Sequence, residues 1–324
     1  MNYVNLGKTG VKVSQLCFGT MSFGAEADEE MSGRMFHRCR EAGINFFDCA
    51  DAYGKGTAET ILGQLLEGCR DEIVLTTKVH EAMSKDVNAG GLSRRHIVAA
   101  VEASLKRLKT DRIDIYFAHK FDARTDMEQI LYAFEDLVRA GKIIYTAVSN
   151  WAAYQIATAL GISRKERIAE FQCIQPMYNL AKRQAEVELL PLAQAENMAV
   201  TPYSPLGGGL LTGKYGVGQK PDQGRLVDVG FYSKRYSLDQ YYQTADRFVA
   251  HARERGVSPA TLSVAWVMSH PAITAPIIGA RNLDQLEASL AATGLDMTPE
   301  WRKEITDLSA APPPATDRLE ETLD

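Results

Sequence analysis

Residues 113–149 read IDIYFAHKFDARTDMEQILYAFEDLVRAGKIIYTAVS, and this stretch decides the fold. Ile113–His119 is a short, apolar, β-branched run. Met127, Ile130, Leu131, Phe134, Leu137 and Val138 then share one face of a helix that Gly141 is placed to end. Ile143–Ser149 is a second apolar run. Strand, helix, strand is one βαβ unit, and strands without polar alternation belong to a parallel sheet buried on both faces. The alternation continues in both directions. Strands are predicted at Val13–Phe18, Ile44–Asp48, Ile73–Lys78, Phe171–Gln175, Ala199–Tyr203 and Ile273–Ile278. Helices are predicted to begin after Ser93, with Ile97, Val101, Ser104, Leu105 and Leu108 on one face, and at Ser258-Pro259. Strand ends fall near residues 20, 48, 78, 119, 149, 175, 203 and 279. The first six spacings run from 26 to 41 residues, one βα unit each, and the last is 76. Eight such units predict an α/β (β/α)8 TIM barrel with a long loop after strand seven. YVNLGKTGVKVS (3–14) predicts a small N-terminal β-hairpin turning at Lys8-Thr9-Gly10. No linker divides the chain, so residues 1–324 read as a single domain. The tail Ala310–Asp324, with Pro312-Pro313-Pro314, reads as extended or mobile.

Composition narrows the function. The 324 residues carry 36 basic and 41 acidic side chains, a net charge of −5. A nucleic-acid binder needs the opposite balance. No apolar run approaches the roughly 20 residues of a membrane span. The first residues lack the basic-then-apolar plan of a signal peptide. Cys17, Cys39, Cys49, Cys69 and Cys173 are odd in number and scattered, which predicts free thiols in a reducing, cytoplasmic setting. His37, His80, His96, His119, His251 and His270 show no HxxxH or HExxH spacing, so no metal site is expected.

In a barrel of this kind chemistry sits at the C-terminal ends of the strands. Those ends carry Thr20, Asp48, Lys78, His119, Ser149-Asn150, Gln175, Tyr203 and Gly279. Neighbouring strands lie about 5 Å apart, so Asp48, Lys78 and His119 converge. An Asp–Lys ion pair held beside a phenol lowers the phenol's pKa, and Tyr53 lies in the loop above Asp48. Asp48, Tyr53, Lys78 and His119 thus form a candidate proton-donating tetrad, suited to an oxygen that becomes an alkoxide. Two phosphate-loop lookalikes occur. GGLLTGKY (208–215) matches GxxxxGK but ends in Tyr where a nucleotide triphosphatase needs Ser or Thr. GKGTAE (54–59) matches GxGxxG but has Glu59 for the third glycine, and Lys78 rather than an acid ends the next strand. Neither is a standard nucleotide fold, although a glycine-rich loop can still approach phosphate.

These residues resemble the aldo-keto reductases. FDCADAYGKGTAE, LTTKVH, DIYFAHKFD, AVSNW, IQPMYNLAKR and TPYSPLGGGLLTGKY occur in that family's order, between the opening LGKTGVKVSQLCFGTMSFG and IIGARNLDQLEASL. The resemblance implies an NADP-dependent oxidoreductase that reduces aldehydes or ketones, with NADPH/NADP+ as cofactor and a small carbonyl compound as substrate. Tyr53 would be the proton donor. Gly19, Thr20, Met21 and Asp48 would lie against the cofactor. Ser149, Asn150 and Gln175 match the positions that bind the nicotinamide carboxamide, and Tyr203 matches the ring stacked on it. Ser204, Pro205, Leu206, Gly207 and Leu210 match the pyrophosphate loop, with Lys214 folding over it. Gly279, Arg281, Gln285 and Ser289 match the adenosine end, where an arginine suits a 2′-phosphate. Arg225 is a further candidate phosphate clamp. The chain departs from the family pattern at Ser289 and Ala288, where Asn and an acid are common, at Ile278, and at Met21, where some members place Trp. The substrate pocket is expected from Met21, Tyr53, His119, Trp151, Phe231, Tyr232 and the tail. The potassium-channel β subunits are similar too, and offer the alternative of a cofactor-binding sensor with little turnover. They characteristically have Asn where this chain has His119. A Schiff-base barrel using Lys78 is a third reading, and requires that lysine to be free of Asp48.

Overall fold

The computed structural model describes residues 1–318 and 320; the end of the tail, at 319 and 321–324, lies outside the described residues. A hairpin of β1 (Tyr3–Asn5) and β2 (Lys12–Ser14) pairs antiparallel, Val4 opposite Val13. Eight parallel strands follow: β3 (Cys17–Gly19), β4 (Phe46–Asp48), β5 (Val74–Val79), β6 (Ile113–Ala118), β7 (Ile143–Ser149), β8 (Phe171–Gln175), β9 (Ala199–Val200) and β10 (Ile277–Ile278). From β3 to β9 each pairs with the next in chain order, and β10 pairs with β3. The ring closes between β9 and β10. Here the Thr274 N–H donates to the Val200 carbonyl at 2.9 Å and the Ile277 N–H to the Pro202 carbonyl at 2.8 Å. This is the predicted (β/α)8 barrel.

Helices cover it: α1 (Glu29–Glu41), α2 (Thr57–Leu65), α3 (Arg94–Leu108), α4 (Met127–Arg139), α5 (Ala153–Glu166) and α6 (Leu189–Ala195). The long gap after β9 holds α7 (Arg225–Asp228), α8 (Gly230–Arg235), α9 (Asp239–Glu254) and α10 (Pro259–Met268). Two more, α11 (Leu283–Leu290) and α12 (Pro299–Thr306), follow β10. The expected caps are present: Ser93 accepts from the His96 N–H, and α10 begins at Pro259. On α4, Ile130, Leu131, Phe134 and Leu137 are buried as their spacing requires, and Asp126 caps its start.

Three strand boundaries shift by three residues or more from the sequence reading, and the others by two at most. Val13 belongs to the hairpin, and the first barrel strand starts only at Cys17. The reason is a second core. Leu6 and Val13 close the N-terminal end of the barrel by packing on Cys17, Phe46, Ile115 and Phe117. Gly7 makes this approach possible: with φ 51°, a side chain there would sit 2.7 Å from the Asn197 carbonyl. β9 stops at Val200 because Pro202 has no N–H to offer a ladder. β10 shrinks to two residues.

Candidate active site

Asp48 and Gly19 end adjacent strands in register, and Asp48 lies beside Thr76 on β5. That register, two residues short of Lys78, brings the lysine side chain back over Asp48. The Lys78 ammonium donates to both Asp48 carboxylate oxygens, at 2.7 and 2.6 Å, and to the Cys49 carbonyl at 2.7 Å. It is fully buried. Burial works against its charge, but the Asp48 carboxylate outweighs burial and the lysine pKa is raised. Asp48 also accepts from the Thr76 hydroxyl at 2.7 Å and the Gln175 amide at 2.9 Å. A lysine so held is no free amine, which removes the footing of a Schiff-base reading.

Tyr53 is followed by the left-handed turn Gly54-Lys55-Gly56, so the false dinucleotide fingerprint is the turn that leads the chain from the phenol into α2. The Tyr53 hydroxyl lies 3.5 Å from the Lys78 ammonium, and its ring meets the His119 ring edge-on at 6.2 Å. Burial pushes the Tyr53 pKa up, and Lys78 opposes this without overcoming it. The sequence reading expected a net lowering; the ammonium's charge is already taken up by Asp48. His119 is pushed well below its ordinary value, first by burial and then by Lys78, so its imidazole is neutral at pH 7. Its Nδ1 is buried without a hydrogen-bond partner among the described residues.

The remaining strand ends are chained together. Ser149 donates to the Gln175 carbonyl at 2.9 Å. Asn150, in a left-handed conformation, donates to the His119 carbonyl at 2.9 Å and accepts from the Tyr203 hydroxyl at 2.8 Å. Thr20 donates to the Asp48 carbonyl at 3.0 Å, and Met21 is half-buried beside the core. A cavity of about 210 Å³ opens against Asn150, Gln175 and Tyr203, with Trp151 and Met177 also in its wall. Trp151 packs edge-on against Phe121 and Phe171 and is 4% exposed, so it stands behind the rim rather than on it. Phe231 is 55% exposed and packs at a tilt against Tyr232.

The cations expected at phosphates also converge. Arg225 and Arg281 both face the Glu26 carboxylate, at 3.3 and 3.7 Å. The Lys214 pKa is lowered, first by burial and then by the charges of Arg281 and Arg225, which places the three in one field. Beside them Ser204 and Gly207 turn left-handed, and a side chain at Gly209 would strike Lys214 at 2.8 Å. Pro205 accepts from the Ser263 hydroxyl at 2.8 Å, Leu206 is half-buried and Leu210 is fully buried, so the loop is anchored at both ends. At Gly279 no atom lies closer than 3.9 Å to the space a side chain would take. Gln285 accepts from the Arg281 N–H at 3.1 Å. Ser289 is buried with its hydroxyl on the Gln285 carbonyl, turned into its own helix. Two arginines on one carboxylate with Lys214 in their field, the left-handed glycine loop beside them, and the amides of Asn150 and Gln175 at the strand ends fit a dinucleotide with phosphates at one end and an amide at the other.

Sequence reasoning missed Glu26, Thr76 and Asp51. Glu26 and Thr76 act only through register and loop placement. Asp51 had a signal, an acid inside FDCADAY, but no partner to reveal it. It is fully buried with no well-formed hydrogen bond to either oxygen among the described residues. Burial, and then the Glu59 carboxylate, push its pKa up to about 7. Glu59 itself is buried between the Thr77 hydroxyl and Arg107. An acid whose folded pKa exceeds its unfolded value of about 3.9 costs stability as pH rises through that window. The cost is absent below pH 4 and complete above about pH 7. Asp51→Asn is therefore expected to raise Tm at pH 8 by roughly 5 °C or more, with the gain vanishing near pH 4. Calorimetry at the two pH values checks it, and an equal Tm change at both would refute the assignment.

The fold and site together define a barrel oxidoreductase. The family profile described as "Aldo/keto reductase family" matches residues 15–310, and the chain belongs to that family. It is 37% identical to "Uncharacterized oxidoreductase YrpG" of Bacillus subtilis (strain 168), over 96% of this chain and 97% of that protein. It is 35% identical to a "Probable voltage-gated potassium channel subunit beta" of Oryza sativa subsp. japonica, covering 95% of each. A protein of the same description from Arabidopsis thaliana is 36% identical over 90% of this chain and 91% of its own. Among the described residues no helix is long and apolar enough to cross a membrane, and no group of His, Cys, Asp or Glu could hold a metal ion.

Proposed function

We propose that this protein is an NADPH-dependent carbonyl reductase acting on aldehydes or ketones. The observation that carries the reading is the buried Asp48–Lys78–Tyr53 constellation beside a neutral His119. A bound nicotinamide dinucleotide would supply the hydride. Asn150 and Gln175 would hold its carboxamide, Tyr203 its ring, and Lys214, Arg225 and Arg281 its phosphates.

The chain's own part is proton delivery. Tyr53 remains protonated through neutral pH, because burial raises its pKa. Its hydroxyl is the acid that meets the carbonyl oxygen as negative charge develops there. The adjacent ammonium stabilises the phenolate left behind, and Asp48 keeps that ammonium charged and in place. Neutral His119 donates an N–H to the same oxygen without adding a second charge to the pocket.

The test is loss of NADPH absorbance on adding 4-nitrobenzaldehyde and a panel of other carbonyl compounds. Turnover supports the reading, and tight NADPH binding without turnover on any of them refutes it. That second outcome is what a sensor subunit would give, a reading supported by the similarity to the rice and Arabidopsis proteins. His119 beside Tyr53 favours the catalyst.

Cofactor choice has its own test. Arg281→Glu is expected to raise the KM for NADPH tenfold or more while changing that for NADH by less than about threefold, because only the former has a dianionic group for the guanidinium. Equal changes for both cofactors would take Arg281 away from the 2′-phosphate.

A further inference from the structure

Arg235 ends α8, in the segment between β9 and α9. It is half-buried, and among the described residues it has neither a hydrogen bond nor an ion pair. Every other half-buried arginine there has an oxygen acceptor or an acidic partner, as with Arg70 on Asp114, Arg107 on Glu59, Arg183 on Glu186 and Arg302 on the Trp266 carbonyl. Arg235 is held instead by rings. Its guanidinium carbon lies 5.2 Å from the Tyr232 ring centre, 5.5 Å from Phe231 and 5.8 Å from Tyr203. Aromatic faces fix the plane of a guanidinium while leaving its fork of N–H donors unspent.

The position matters because of Tyr203. Its hydroxyl binds Asn150, which in turn binds the His119 carbonyl, so Arg235 stands one ring away from the candidate active site. A second cation lies nearby. Lys182 is 5.7 Å from the ring of Tyr236, the next residue after Arg235, and 4.3 Å from Tyr241, and no carboxylate pairs with it among the described residues. Arg225 lies over the same Tyr232 ring at 5.8 Å, but Arg225 and Arg281 are paired with Glu26, whereas Arg235 has no such acid among the described residues. A partly desolvated guanidinium without a counter-ion is costly to keep, and a planar anion that accepts two N–H bonds removes the cost.

We propose that Arg235 is the specificity residue of this site and that the preferred carbonyl substrates carry a carboxylate or phosphate group. This rests on the reductase reading above. It predicts that the guanidinium takes the anionic end of the substrate while the carbonyl lies at Tyr53 and His119.

The experiment compares 4-carboxybenzaldehyde, 4-formylphenyl phosphate and the neutral methyl 4-formylbenzoate in wild type, Arg235→Met and Arg235→Lys, with NADPH. Wild type should favour one or both anions over the ester by about 30-fold in kcat/KM, mostly through KM. Whichever anion is favoured identifies the group. Arg235→Met should bring the ratio within about threefold of one, and Arg235→Lys should restore part of it. A ratio near one in wild type, or an unchanged ratio in Arg235→Met, overturns the proposal. So does a matching rise in the NADPH Kd, which would move Arg235 to the cofactor. If no aldehyde is turned over, the reductase reading fails separately. Titration of the NADP+-loaded protein with 4-(hydroxymethyl)benzoate and its methyl ester then decides the subsite. Tighter binding of the carboxylate that Arg235→Met abolishes supports it, and equal binding overturns it.

Discussion

Lys78→Met is expected to destabilise the protein by about 3–5 kcal/mol, because it strands the Asp48 carboxylate in a site that is 2% exposed. The ammonium supplies three of the contacts that hold this end of the barrel, two to Asp48 and one to the Cys49 carbonyl. Methionine fills a similar volume but brings no charge and no donor. Thr76 and Gln175 still donate to Asp48, and two neutral donors do not replace a cation. The double variant Asp48→Asn/Lys78→Met removes both charges. It should recover most of the loss, since what costs most is an unpaired buried charge and not the absence of a pair. Denaturant unfolding of the three proteins checks this. A double variant no more stable than Lys78→Met would mean that the loss comes from packing. Neither variant should reduce aldehydes, so the pair separates stability from chemistry.

Tyr53→Phe is expected to lower kcat for 4-nitrobenzaldehyde by about 10³-fold, near the upper part of the range for a single general acid. The Kd for NADPH should change by less than a factor of about two. The substitution removes one oxygen from a ring whose packing against His119 remains, so the fold and the cofactor cradle are undisturbed. Because burial raises the Tyr53 pKa, wild-type kcat/KM for reduction should stay level from pH 6 to 9. A fall with a midpoint near pH 7 would point to a different acid, and retained turnover in Tyr53→Phe would exclude the phenol altogether. The neutral His119 sharpens the expectation, since no imidazolium is there to lend a proton at pH 7.

The eight parallel strands and their order were legible in the sequence, because strands buried on both faces leave unbroken apolar runs and βα units recur at one length. Asp48, Lys78 and His119 were legible because each polar residue closes such a run. Ser149, Asn150, Gln175 and Tyr203 were placed at the same end of the barrel by the same strand spacing, and family resemblance added only the cofactor they would hold. What periodicity could not reveal was where strands stop for reasons outside themselves. Val13 leaves the barrel to plug its base with Leu6, and Pro202 ends β9 by lacking a donor. Neither fact is visible in a local apolar pattern.

The sequence by itself therefore determined the architecture and the kinds of group at the strand ends, since hydrophobic period and strand-end polarity are local properties. Only the tertiary structure decided the electrical state of the site. Parallel register places Thr76 beside Asp48 and saturates Lys78, so burial outweighs the ammonium at Tyr53 and turns the expected fall in its pKa into a rise. Loop packing across 199 residues sets Glu26 against Arg225, leaves Arg235 with rings in place of an acid, and buries Asp51 beside Glu59. Charge, burial and partner are properties of distance in space, and residues far apart along the chain acquire them together only when the barrel closes.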